Sequence, residues 1–387
     1  MGKPPTESAK RELLRTANLA HADSRPADSL ARLHTVTSGD ATLRILDAAG
    51  NRAREALRVL EDFTRFQLND ATLSRELKEL RHAVAEALAP FGAQALTAAR
   101  DTLGDVGTTI STESERNRTD GIDVVTANFK RGQESLRSLE EYAKCIDAES
   151  AERFEQIRYR LYILEKVMMT AIASHRRLAD CRLYWLFTAS ACRGDALKTV
   201  ADALQGGVDA VQLREKTGSD REVLQSALEI RKMTRDAQAL FIVNDRPDLA
   251  VLAAADGVHV GQDELTVADV RKIVGPEMLI GVSTHNLAQA RRAVEEGADY
   301  LGVGPVFPSR TKPFAEFAGL DFVRAAAANL SLPWFAIGGI DLDNIAEVTD
   351  AGATRVAVGN AISSADGPTE TTRQLLSTLR LHTRPRL

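Results

Sequence analysis

The chain has 387 residues, 44% of them hydrophobic, with 49 Lys and Arg against 54 Asp and Glu for a formal net charge of −5. That length can bury more than one core, and that charge lacks the basic excess of a dedicated nucleic-acid binder, so any anion site must be local. Three cysteines, Cys145, Cys181 and Cys192, form no CxxC pair, which argues against a disulfide framework or structural zinc and fits a reducing cytoplasm.

Residues 1–40 mix Pro, Ser, Asp and Ala without a sustained period and read as a mobile tail with at most one short helix. No apolar h-region opens this tail, and no run in the chain approaches the ~18 uncharged apolar residues of a membrane span. From Thr42 the pattern turns helical, as in ILDAAGNRAREALRVLEDFTRF, and residues 41–175 read as an all-α bundle. This stretch repeats itself. Glu55–Phe63 (EALRVLEDF) returns as Glu134–Tyr142 (ESLRSLEEY), and each copy precedes a second helix, LSRELKELRHAV or AERFEQIRYRLYIL. A duplicated helical hairpin is the simplest source, since two such hairpins can bury each other's apolar faces. The connection between them, ARDTLGDVGTTISTESERNRTDG, is too polar for a core.

Beyond residue 180 the period changes. LYWLFTA, AVQLR, LFIVND, GVHVG, LIGVST, YLGVGPV, WFAIGGI and RVAVGN are short apolar runs of the kind that form buried parallel strands, and each precedes a helical stretch. Eight such units within 181–380 predict an α/β fold, a (β/α)8 TIM barrel, behind the helical bundle. An open doubly wound sheet would want GxGxxG after its first strand, and TASACRGD lacks it.

In such a barrel the strand C-termini share one mouth, so unusual polar residues there are functional candidates. Gln212, Arg214 and Lys216 alternate and would face one side of an extended segment. Asn244 and Asp245 end the third strand, Asp263 and Glu264 follow the fourth, and Ser283 ends the fifth. Asp245, Asp263 and Glu264 could hold Mg2+ with water and a substrate phosphate. Helix capping is the alternative role for these carboxylates, and both readings stay open with the metal ahead. Gly339 and the pair Gly359–Asn360 offer backbone N–H groups where barrels frequently grip phosphate. His285 follows the fifth strand, but a lone His there is more often a packing or capping residue, and it is left out of the chemistry.

In order and at these strand ends, VQLREK, FIVND, GVHVGQ, GVSTH, the GPVFPSRTK loop and AIGGI resemble the thiamine-phosphate synthase family over residues 181–380. The resemblance implies that Gln212, Arg214, Lys216 and Asn244 bind a pyrimidine diphosphate. It also implies that Asp245 is a Mg2+ ligand, that Ser283 and Lys312 reach the diphosphate, and that Ser309, Thr311 and Gly339 hold a thiazole phosphate. Lys216, Ser283 and Lys312 are the expected catalytic groups. The family has Asp where this chain has Glu264, so either Glu264 or the adjacent Asp263 would supply the second metal ligand. It often has Ser before the last Ala-Ile, where this chain has Asn360, and the backbone donors of Gly359 and Asn360 survive that change. The implied reaction is the Mg2+-assisted joining of the two small molecules with release of pyrophosphate, without nucleic acid or membrane, by a cytoplasmic protein that could self-associate as a homo-oligomer. The rival readings are a thiazole tautomerase on the same barrel and a non-catalytic thiamine-phosphate-binding protein.

Asn51–Arg58, Arg100-Asp-Thr, Asp105-Val-Gly-Thr and Ala127–Arg131 with Glu134 resemble a helical domain found fused to this synthase and proposed as an alternative hydroxymethylpyrimidine phosphate kinase. Read alone, their Arg and Glu at spacings of three and four are salt-bridged helix faces. No P-loop or kinase Gly-rich loop is present.

Overall fold

A computed structural model describes residues 38–103, 105, 117–308 and 317–382. The expected tail, up to residue 37, and most of the polar connection lie outside the described residues, as do Ser309, Thr311 and Lys312. Four long helices occupy the predicted helical region: α1 (Ser38–Phe66), α2 (Ala71–Leu88), α4 (Gly121–Ala143) and α5 (Ala148–Arg177), with the short α3 (Ala93–Ala98) between the two pairs. They form the two hairpins anticipated from the repeat. No described helix is long and apolar enough to cross a membrane.

The chain divides into two compact units, one built from residues up to 56 and 81–158, the other from residues 57–80 and 159 onward. The boundary between these units runs through α1, α2 and α5. At 1.5 Å per residue a 30-residue helix such as α5 is about 45 Å long, long enough to serve two cores.

In the first unit, Leu46, Ala53, Val84, Phe129, Leu136 and Phe154 are fully buried. Asp120 caps α4 by accepting from the N–H groups of Ile122 and Asp123 at 2.8 and 2.9 Å. Arg100 binds the Asp47 carboxylate with two hydrogen bonds of 2.8 Å. Glu140 and Arg158 are both buried, and two guanidinium nitrogens donate to Glu140 Oε2 at 2.9 and 2.8 Å. Burial opposes ionisation of Glu140, but the bonds from Arg158 and Lys144 prevail and hold its carboxyl below the ordinary range.

The second unit carries a closed barrel of eight parallel strands in sequential order: β1 (Leu183–Phe187), β2 (Ala210–Leu213), β3 (Leu240–Asn244), β4 (Gly257–Val260), β5 (Leu279–Thr284), β6 (Tyr300–Val303), β7 (Trp334–Ile337) and β8 (Val356–Val358). All eight predicted strands are present, slightly shortened. Helices α6 (Ala196–Gly206), α7 (Asp220–Asp236), α8 (Pro247–Leu252), α9 (Val267–Val274), α10 (Leu287–Glu296), α11 (Gly319–Asn329), α12 (Ile345–Asp350), α13 (Asn360–Ser363) and α14 (Pro368–His382) follow the strands. Their starts are written in the sequence: Asp195, Ser219, Thr266 and Asn286 each cap a helix through a side-chain oxygen, Ser219 in a capping box with Glu222.

Alternation along each strand sorts residues into two layers. Trp185, Val211, Phe241, Val258 and Ile280 belong to the large core cluster that includes helix residues such as Val200, Ile230 and Val270. Tyr184, Ala210, Ile242, Leu279, Tyr300 and Phe335 form a separate cluster of the opposite parity, the barrel interior. Before β2, β4 and β6 stands an Asp whose carboxylate accepts the first N–H groups of the preceding strand. Asp209 accepts from Leu183 at 2.8 Å, Asp256 from Phe241 at 2.8 Å and Asp299 from Ile280 at 2.8 Å. Arg231 and Arg271 pair with Asp256 and Asp299, so two of these strand starts are also charge-compensated.

The C-terminal part of α5 belongs to the barrel unit. Lys166 donates to the carbonyls of Glu295 and Glu296 at 3.0 Å, His175 to that of Ser331 at 2.7 Å, and Arg177 to that of Glu277 at 2.5 Å. Ala171 and Leu178 are buried in the two barrel clusters. A chain starting at Ala179 keeps all eight strand–helix units and is expected to fold. At ~1 kcal/mol for each of these four lost hydrogen bonds and about 2–4 °C per kcal/mol, its barrel should melt on the order of 8–16 °C lower, as scanning calorimetry of the truncated and full chains would show.

Candidate active site at the barrel mouth

At the C-terminal ends of the strands lies a cavity of about 540 Å³, within the ordinary range for small-molecule pockets. Its wall includes Gln212, Arg214 and Lys216 from the segment that begins in β2. That segment is held by its neighbour: Arg214 N–H donates to Phe187 O at 2.8 Å, Thr188 Oγ1 donates to Arg214 O at 2.9 Å, and Glu215 accepts from Ala189 N–H at 2.6 Å. Glu215, the odd member of the alternation, is therefore spent on the loop after β1, while Arg214 and Lys216 line the cavity.

Asn244 closes β3, and Asp245 follows with φ of +61°, a left-handed conformation that Asp tolerates better than most residues. Its N–H is bonded to His259 O at 2.8 Å and its carboxylate to the Lys216 ammonium. Asp263 and Glu264 line the same cavity, and a side chain at Gly261 would collide with the Glu264 carboxylate. Gln262 Nε2 donates to Ser283 O at 2.7 Å, tying this loop to β5.

On the far side, the loop after β7 makes a tight turn with Gly338 and Gly339 at φ of +103° and +64°. The turn is packed against the start of the loop after β6: Val306 and Phe307 donate to Ile337 O and Gly338 O at 2.9 and 3.0 Å, and a Cβ at Gly339 would press into Phe307 and Pro308. Both positions thus require glycine, for conformation and for space. Gly359 and Asn360 complete the wall at the start of α13. His285 also lines the cavity, with Nδ1 donating to Gly304 O at 2.7 Å, a structural contact.

All the described candidates from Gln212 to Asn360 therefore share one cavity. A model of the family described as thiamine monophosphate synthase matches residues 183–362, and one of the ThiD2 family matches residues 44–167. The thiamine-phosphate synthase of Synechocystis sp. is 45% identical over 88% of this chain and 97% of its own, and that of Rhodopirellula baltica is 43% identical over 89% and 95%. The chain belongs to the thiamine-phosphate synthase family. The solved thiamine phosphate pyrophosphorylase of Pyrococcus furiosus, 33% identical, aligns with a TM-score of 0.50 over 53% of this chain and 98% of its own.

Beneath the mouth of this synthase-family barrel runs a polar chain that reading the strands as apolar runs missed. Gln212 Nε2 donates to Tyr184 Oη at 2.5 Å, Tyr184 and Tyr300 hydroxyls are 3.0 Å apart, Tyr300 Oη is 3.3 Å from His259 Nδ1, and His259 Nε2 is 2.9 Å from Ser283 Oγ. Parity was the available signal, since His259 shares its inward position with Gly257 on one short strand. Burial pushes the His259 imidazole down to about 4, although the Asp245 carboxylate opposes this, and burial raises both tyrosine hydroxyls above their ordinary range.

His259 is therefore neutral in the native protein at pH values where it is protonated once exposed. Between about 4 and 6.5 the unfolded chain binds the extra proton, so stability rises with pH through that window and levels off above it. The contribution is about 3 kcal/mol at full extent. Urea unfolding at pH 4.5 and pH 7 should show this loss in the wild type and a smaller difference in His259→Asn.

Proposed function

We propose that the barrel joins 4-amino-2-methyl-5-hydroxymethylpyrimidine diphosphate to 4-methyl-5-(2-hydroxyethyl)thiazole phosphate, giving thiamine monophosphate and pyrophosphate. The observation that carries this reading is the convergence of amide, cationic and carboxylate groups in one cavity of a chain 45% identical to thiamine-phosphate synthases over nearly its whole length. The carbon–oxygen bond to the diphosphate breaks, leaving a pyrimidine-stabilised methylene cation. The thiazole nitrogen lone pair then forms the new carbon–nitrogen bond, with no general base required.

Arg214 and Lys216 take the diphosphate, Gln212 and Asn244 the pyrimidine, and Ser283 with Lys312 the departing oxygens. Ser309, Thr311 and the backbone of Gly339, Gly359 and Asn360 receive the thiazole phosphate. These are charge-stabilising and positioning roles, which suit a reaction whose barrier lies in separating an anion from a cation.

The charge balance of the described wall bears on Mg2+. Arg214 and Lys216 face Asp245, Asp263, Glu264 and Asp341, an excess of carboxylate that would repel a diphosphate by itself. No group of three or more metal-ligating side chains is assembled among the described residues. One or two carboxylates, with phosphate and water completing the shell, are what Mg2+ commonly uses, and Asp245 with Glu264 or Asp263 would hold it. Bound there, Mg2+ would neutralise charge on the leaving diphosphate. A tautomerase has no use for this diphosphate grip.

Purified protein given both substrates and Mg2+ should release pyrophosphate, and EDTA should stop the release until Mg2+ is restored. Lys216→Ala and Asp245→Asn, the latter chosen because Asn tolerates the left-handed backbone there, should each lower turnover about 100-fold or more with little change in melting temperature. Parallel losses of activity and stability would make the two residues structural, and no pyrophosphate from the wild type would leave tautomerisation or binding as the function.

A further inference from the structure

The buried chain beneath the mouth connects Gln212 at one end and Ser283 at the other, both lining the cavity, through Tyr184, Tyr300 and His259, of which His259 also borders the cavity. It crosses the barrel interior on strands β2, β1, β6, β4 and β5. Tyr184, Tyr300 and His259 are each at most 5% exposed. Phe335 seals the middle, with its ring centroid 5.2 Å from Tyr184 and 5.8 Å from Tyr300. Gly281 supplies the room, since a Cβ there would overlap both the Tyr300 ring and the His259 imidazole.

A neutral imidazole has one donor and one acceptor nitrogen, and a hydroxyl has one proton to give. Since an unpaired hydroxyl proton in this buried place is costly, two hydroxyls and one imidazole in series favour two arrangements in which every proton is used, each running the same way along the chain. In the first, Gln212 donates to Tyr184, Tyr184 to Tyr300, and Tyr300 to His259 Nδ1, while His259 Nε2–H donates to Ser283. The Ser283 hydroxyl is then a donor toward the cavity, and the Gln212 carboxamide oxygen is the acceptor left for a ligand. In the second, every bond is reversed and the Gln212 carboxamide is flipped so that its oxygen accepts from Tyr184, leaving Ser283 only lone pairs and Gln212 only N–H for a ligand.

We infer that this chain couples the two ends of the pyrimidine substrate: an anion that accepts from Ser283 sets the direction of every bond and turns Gln212 into an acceptor for the exocyclic amine. Tyr184, Tyr300 and His259 are positioning residues in this scheme, acting through Gln212 and Ser283; the two tyrosines lie outside the cavity wall, and His259 borders it. The inference rests on the proposed placement of the diphosphate at Ser283 and of the pyrimidine at Gln212. Buried hydrogen-bond series are suited to such a role, because a reversed or broken link leaves a polar group without a partner in a place water cannot reach.

The test uses the full chain with Mg2+, pyrophosphate as the anion and the pyrimidine alcohol, 4-amino-5-hydroxymethyl-2-methylpyrimidine, as the second ligand. By titration calorimetry, saturating pyrophosphate should tighten the wild type's affinity for the alcohol roughly fivefold or more, the scale of ordinary site–site coupling. In Tyr300→Phe each ligand should still bind alone, but the tightening should vanish. Tyr184→Phe breaks the adjoining link and serves if Tyr300→Phe does not fold. With pyrophosphate bound, nitrogen NMR should find the His259 proton on Nε2. Undiminished tightening in a folded Tyr→Phe variant, no tightening in the wild type, or the proton on Nδ1 would overturn the inference. Gln212→Ala and Ser283→Ala separate the two levels: if neither weakens its ligand, the site reading fails and the coupling with it, whereas if both do and Tyr300→Phe keeps the tightening, only the coupling fails.

Discussion

Closing eight parallel strands into a barrel imposes one constraint from which the site follows: every strand runs toward the same rim, and every second residue points inward. Inward positions low in the strands must fill the interior, as Ala210, Ile242, Leu279 and Phe335 do. Inward positions at the top have no layer above them and so face the cavity, as Gln212 and Ser283 do. A single-residue slip in β2 would exchange Gln212 for Val211 or Leu213, putting an amide against the helices and an isopropyl group in the mouth. The Asp residues before β2, β4 and β6 act against such a slip, because each carboxylate is satisfied by particular N–H groups of the preceding strand.

Much of this was legible in the sequence. The eight strands could be read because buried parallel strands are continuous apolar runs and because their ends carry Gly, Asn, Asp or Ser. The placement of Arg214 and Lys216 in the mouth was legible from alternation alone, and the loop that enforces it, through Thr188 and Glu215, was not. Tyr184, His259 and Tyr300 escaped notice for a different reason. Within LYWLF, GVHV and YLGV their rings are apolar enough to pass as core, and their polar atoms find one another only after closure brings β1, β4 and β6 around a common axis. Pairing between distant strands is a property of the barrel and not of any one segment.

The helical region shows the same division. Repetition of Glu55–Phe63 as Glu134–Tyr142 announced two hairpins, and the hairpins are present. Glu61 and Glu140, at equivalent places in the repeat, are both buried. For Glu140 the partner is the equally buried Arg158, a pair that would be costly to break from one side because it would strand a charge away from water. Among residues that carry the resemblance to the fused helical domain, Asn51 and Arg100 meet at the Asp47 carboxylate. That contact bridges 53 positions in the sequence. Spacings of three and four correctly suggested salt-bridged faces, but periodicity cannot register a tie between separate elements.

The proposed chemistry asks little of the protein in proton transfer and much in charge placement, and the mouth is arranged accordingly. Its one deeply buried imidazole has lost basicity to burial, so it is suited to relay hydrogen-bond direction and unsuited to hold a proton near neutral pH. Its carboxylates sit at the rim, where Asp245 already shares its charge with Lys216. In the proposed reaction the diphosphate would take Lys216, leaving the Asp245 carboxylate for the Mg2+ it is proposed to hold, so that one ion pair is exchanged for two without leaving a charge unmatched. On that view the Lys216–Asp245 pair holds two groups of opposite sign close together at the rim until the substrate separates them, which lowers the reorganisation needed when the leaving group's charge develops.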